Sequence, residues 1–99
     1  MDAEIKRKWL EALRSGKYAQ GRNALLHEGK YCCLGVLCDA HDIAIETERD
    51  TILDGSTHSY DPIRKHFGLS PEETLILTSM NDVDELTFAQ IAEYIEKNL

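Results

Sequence analysis

The chain has 99 residues, of which 42% are hydrophobic and 29% charged, and its formal net charge is −7 at pH 7. That length fits one compact domain over residues 1–99, and the apolar content excludes a disordered chain. Met1 to Lys8 is charged nearly throughout, and the longest apolar run, Cys32 to Cys38, is far shorter than the roughly 18 residues of a membrane span, so neither a secretory leader nor a membrane helix is expected.

The first predicted element is an amphipathic helix. Ile5, Trp9, Ala12 and Leu13 form one apolar stripe, Asp2 can cap it, and Ser15-Gly16 ends it. A polar loop, Lys17 to Asn23, follows. Glu28-Gly29 between Ala24–His27 and Lys30–Cys33 predicts a short β-hairpin. Leu34 to His41 is apolar on most sides and reads as a short buried helix, because Gly35 would weaken a strand interior. Residues 43–47 and 51–53 read as two further strands, with a loop over 55–59. Pro62 after Asp61 predicts a short helix ending at Gly68. Two capping boxes, Ser70 with Glu73 and Thr87 with Gln90, start two more helices, and Phe88, Ile91, Ala92, Ile95 and Leu99 give the last its stripe. Asn81 to Asp84 reads as a turn between them. The expected fold is α+β: about four helices packed on a small antiparallel sheet.

Charge is unevenly divided. Residues 1–33 sum to +3 and residues 34–99 to −10. Phosphate contacts supply most nucleic-acid affinity, so this acidic balance argues against direct binding of duplex nucleic acid. A small anionic ligand near the basic third, or a basic protein surface against the acidic remainder, fits better.

Three cysteines, two of them adjacent, permit at most one ordinary disulfide and point to a reducing compartment, the cytosol. Two chemical uses present themselves. Cys33, Cys38 and His41 supply metal-ligating atoms, although zinc needs four ligands and no second such pair follows. Cys32 or Cys33 at a helix start can act as a nucleophile, with His58 or His66 as base and Gln20 as oxyanion donor, giving a small cysteine-dependent hydrolase. Against both stands the ordinary use of buried thiols as small hydrophobes. No glycine-rich phosphate loop is present, and no cofactor is expected. Tyr18, Gln20, Arg22 and Asn23 on one loop and Asn81 and Asp82 on another form the candidate ligand site. Tyrosine can stack on a ring, arginine can pair with phosphate, and the amides can read a base or ribose edge.

Trp9-Leu10-Glu11-Ala12-Leu13-Arg14-Ser15-Gly16-Lys17-Tyr18-Ala19-Gln20, then Tyr31-Cys32-Cys33-Leu34-Gly35-Val36-Leu37-Cys38-Asp39, form a specific pair of strings. With Met80-Asn81-Asp82 and Thr87 to Glu96, they resemble small, functionally uncharacterised proteins of tailed bacteriophages and prophages. The likeness covers about 5–40 and 79–98. It implies an accessory protein in the bacterial host cytoplasm and implies no reaction. The expected role is therefore stoichiometric binding that antagonises a host defence system by sequestering a small nucleotide-derived ligand, aided by a homo-oligomer. The alternatives are an acidic inhibitor of a host protein, mimicking nucleic acid, and the cysteine hydrolase.

Overall fold

The computed structural model describes residues 1–43 and 61–99. The strands expected from residue 44 to 53, the loop at 55–59 and the candidate base His58 lie outside the described residues; Ile43 itself is not in a strand.

Helix α1 spans Ala3–Arg14, and its start is fixed by Asp2, whose Oδ1 accepts from the backbone N–H groups of Glu4 (2.8 Å) and Ile5 (3.1 Å). Trp9 and Leu13 are buried on its inner face, as the stripe requires. The Trp9 indole Nε1 donates to the carbonyl of Cys33 at 2.9 Å, so the largest core side chain also satisfies its polar atom.

Three two-residue strands follow: β1 (Ala19–Gln20), β2 (Leu26–His27) and β3 (Lys30–Tyr31), in the order β1-β3-β2. Strands β2 and β3 form the expected hairpin. Glu28 (φ 53°) and Gly29 (φ 78°) both lie left-handed, the turn that matches strand twist in a two-residue loop. The sheet is nevertheless mixed, not purely antiparallel, because β1 pairs in parallel with β3. Loop 21–25 makes the crossover, and the Gly21 N–H continues the pairing to the Tyr31 carbonyl at 2.8 Å. A parallel pair carries no turn signature, so local sequence does not announce it.

Helix α2 covers Cys33–Ala40, one residue ahead of the expected start. Every residue from Cys33 to Cys38 is buried. Gly35 makes this possible: a Cβ there would stand 2.0 Å from the Leu25 carbonyl oxygen. The helix therefore seats its backbone directly on the approach to β2, which explains a glycine inside a helix at a cost of about 1 kcal/mol in propensity.

Helices α3 (Asp61–Phe67), α4 (Pro71–Asp82) and α5 (Phe88–Asn98) complete the α+β fold, giving five helices among the described residues. Both capping boxes form reciprocally, Ser70 with Glu73 and Thr87 with Gln90. Phe88, Ile91, Ala92 and Ile95 are buried on α5, each large side chain contributing about 1.5–3 kcal/mol relative to exposure. Helix α5 lies against α1, where Arg14 pairs with Glu96 at 2.9 Å and Lys6 Nζ donates to the Glu96 carbonyl at 3.1 Å. One turn prediction is corrected. Asn81 and Asp82 are the last turn of α4, not a loop, because the Asn81 side chain faces the core and holds the helix in register there.

Candidate functional site

Four of the six candidate ligand residues, Gln20, Asn23, Asn81 and Asp82, are joined to one another. Asn81 is fully buried. Its Oδ1 accepts from Gln20 Nε2 at 2.9 Å, and its Nδ2 donates to the Gly21 carbonyl at 2.9 Å and to Asp82 Oδ1 at 2.8 Å. Gln20 Nε2 also donates to the Leu86 carbonyl at 2.8 Å, and Asp82 Oδ1 accepts the Asn23 backbone N–H at 2.9 Å. The expected polar loop is interrupted by β1 at Ala19–Gln20, and this clasp ties the end of β1 and residues 21–23 to the C-terminal end of α4. Asn23 sits left-handed (φ 65°), a conformation asparagine tolerates better than most residues. The side-chain amides of Gln20 and Asn81 thus bond to each other and to backbone carbonyls, as buried polar groups must.

Tyr18 and Arg22 do not share a site. The Tyr18 hydroxyl donates to Asp39 Oδ2 at 2.6 Å, and its ring meets Tyr31 edge-on at 5.0 Å. Burial chiefly, with the Asp39 hydrogen bond and charge behind it, pushes this phenol up to about 12. Tyr18 borders an open hollow of about 330 Å³ with Lys8, Glu11 and Lys17. Arg22 and Asn23 border a separate hollow of about 160 Å³ with Ala24 and His27.

The three cysteines are buried free thiols. Cys32 is the N-cap residue of α2, with Leu34 and Gly35 N–H groups favouring its thiolate, but burial dominates and pushes it up to about 12. Burial likewise raises Cys33 well above the ordinary thiol value and Cys38 to about 12. The Cys33 Sγ points to the Leu77 carbonyl at 3.6 Å. A nucleophile needs an accessible thiolate, and here burial denies access and outweighs the backbone N–H groups that favour the charge. Among the described residues, His66 is exposed on α3, its ring against Phe67 at 4.8 Å, and makes no hydrogen bond to a thiol.

The candidate metal ligands Cys33, Cys38 and His41 do not form a metal-holding group. His41 Nδ1 lies 3.0 Å from the Leu37 carbonyl and its ring tilts against Phe67. Among the described residues, no group of three His, Cys, Asp or Glu side chains is arranged to hold a metal ion.

The remaining surface feature was not among the sequence candidates. Helix α4 buries Thr74, Leu77, Met80 and Asn81 on one side. On the other it exposes Leu75 (66%) and Ile76 (40%), and its C-cap residue Val83 is 75% exposed. Exposed apolar side chains clustered on one element mark contact surfaces more often than scattered ones do. Residues 69–96 contain seven acidic residues and no Lys or Arg. Glu72, Asp84 and Glu85 beside the apolar strip are exposed, whereas Glu73 is engaged by the capping box. The available signal was Leu75-Ile76-Leu77. Three consecutive apolar residues cannot share one face of a helix, so they are either enclosed on all sides, as in α2, or leave one side outward.

Fold and surface together define a small α+β domain with a thiol-lined core and one outward apolar helix. The chain belongs to the family described as Domain of unknown function (DUF8296), whose model matches residues 1–74. No curated protein matches the chain, and no solved structure does. The exposed strip from Leu75 onward lies beyond the matched residues. No described helix is long and apolar enough to cross a membrane.

Proposed function

We propose that the protein acts by stoichiometric binding of a protein partner, with the outer side of α4 as its contact surface. The observation that carries this reading is the exposure of Leu75, Ile76 and Val83 on a helix whose opposite side is packed into the core. Burying three such side chains in a complex releases apolar surface from water, the main driving force for association. The resemblance to phage and prophage proteins supports a host protein as partner, in the bacterial cytoplasm, with occlusion of a host defence component as the role. The nucleotide-ligand reading has less support, since Gln20, Asn81 and Asp82 are engaged in the clasp and Tyr18 and Arg22 border different hollows. The hydrolase reading lacks an accessible thiol.

Native mass spectrometry of the protein from bacterial cytosol, compared with its denatured mass, tests this. The expected result is a heteromeric species of fixed stoichiometry. Leu75→Asp with Val83→Asp should abolish it, and Glu93→Gln on α5 should leave it intact. Extra mass of a few hundred daltons that is lost on denaturation, without a protein partner, would overturn the proposal in favour of a captured small molecule.

A further inference from the structure

Resting on the protein-binding reading, we infer that the occupant of α4 is a basic amphipathic α-helix of another protein. Two features of the surface carry this. The first is shape. Glu72, Leu75, Ile76 and Ser79 stand at i, i+3, i+4 and i+7, the four corners of the hole that receives one side chain of a helix packed alongside. Ser79 is small and half-buried, so the strip dips between the Leu75-Ile76 pair and Val83. Leu75 to Val83 covers about 12 Å at the helical rise, a little over two turns of a partner helix. A β-strand partner has less to pair with, since β1 and β2 at the sheet edges are two residues each.

The second feature is charge. Glu72 sits at one end of the strip, and Asp84 and Glu85 follow directly on Val83 at the other, all exposed. No Lys or Arg occurs from residue 69 to 96. A second copy of this face would oppose carboxylate to carboxylate, and like-charge juxtaposition disfavours such partners. A helix with an apolar stripe flanked by lysine or arginine satisfies both the strip and its acidic ends. The same carboxylates would steer its approach, which makes association sensitive to salt.

The test uses a fluorescent synthetic helix of about fourteen residues, with leucine on one stripe and lysine on both flanks, and a twin in which every lysine is glutamate. The intact protein should bind the lysine helix and not the glutamate helix. Leu75→Ser or Val83→Ser should weaken binding about tenfold or more. Combined Glu72→Lys, Asp84→Lys and Glu85→Lys should abolish binding of the lysine helix and transfer preference to its twin, while Glu93→Gln changes nothing. Circular dichroism confirms that each variant folds.

Lysine-helix binding that ignores the Leu75 and Val83 substitutions would be diffuse attraction to an acidic protein and would overturn the inference. Equal binding of both helices would overturn the basic partner yet leave the apolar contact, and the protein-binding reading, standing. Self-association of the intact chain in sedimentation, abolished by Leu75→Ser, would overturn it by showing a second copy as the occupant.

Discussion

Helices α2 and α4 each carry a run of consecutive apolar residues, yet the two runs meet opposite surroundings. Helix α2 is buried from Cys33 to Cys38, enclosed by α1, the hairpin and α4. Helix α4 packs one side on α2, α3 and α5 and turns Leu75 and Ile76 to solvent. Composition follows surroundings: α2 holds a single charged residue, Asp39, whereas α4 carries Glu72, Glu73 and Asp82. A helix enclosed on all sides can carry cysteine and glycine, which fill narrow space and permit close approach. A helix with one free side has apolar side chains left over once its inner face is satisfied. The difference teaches that the thiols, chemically the most reactive groups here, are sealed from solvent, whereas the inert Leu75, Ile76 and Val83 meet it.

The comparison breaks hardest at Gly35. Gly35→Ala puts a methyl 2.0 Å from the Leu25 carbonyl oxygen, and neither backbone can yield cheaply. A loss of about 3 kcal/mol or more is expected, read by urea denaturation or as failure to accumulate folded protein. On the inner side of α4, Asn81→Ala strands the Gly21 carbonyl and loosens Gln20, for a loss of about 2–3 kcal/mol in the same assay.

The buried thiols sharpen the comparison through pH. Their folded values are raised above the unfolded ones, so the folded state holds protons that the unfolded chain has released at alkaline pH. Their contribution is fully present below the ordinary thiol value of 9.0 and is lost as pH rises toward 12, the raised value of Cys32 and Cys38. Each thiol that ionises only on unfolding steepens the decline by up to about 1.4 kcal/mol per pH unit. Thermal melts from pH 8 to 11 should show that fall, and thiol reagents at pH 7.5 should label all three cysteines only after denaturation. Fast labelling of the folded protein would contradict the enclosure of α2.

Smaller effects are expected at the periphery. Glu28→Asn suits the left-handed first position of the hairpin turn better and should stabilise by about 0.5–1 kcal/mol. Leu75→Ser and Val83→Ser should each move stability by no more than about 0.5 kcal/mol while weakening binding of the lysine helix about tenfold or more, separating outer from inner face.

Much of this architecture was readable residue by residue. The Ser70 and Thr87 boxes, the Asp2 cap, the α5 stripe and the Glu28-Gly29 turn are local devices, complete within four to eleven residues, so the chain declares them directly. The candidate site was harder. Of the six candidates, Gln20, Asn23, Asn81 and Asp82 do come together, but around each other, while Tyr18 and Arg22 lie apart. An amide that reads a ligand and one that reads a carbonyl sixty residues away have the same local sequence. The parallel pairing of β1 and the inward position of Asn81 were illegible for the same reason, since both depend on partners distant in the chain.

Sequence by itself determined the class of fold, the helix starts, the acidic balance and the stripes that face the core, because capping, turn geometry and periodicity act over short range. Tertiary structure alone decided that the thiols are sealed, that the polar loop is clasped to α4, and that Leu75, Ile76 and Val83 remain outside. Those outcomes turn on which surfaces are covered when distant segments meet, and burial is a property of the packed molecule, not of any residue within it.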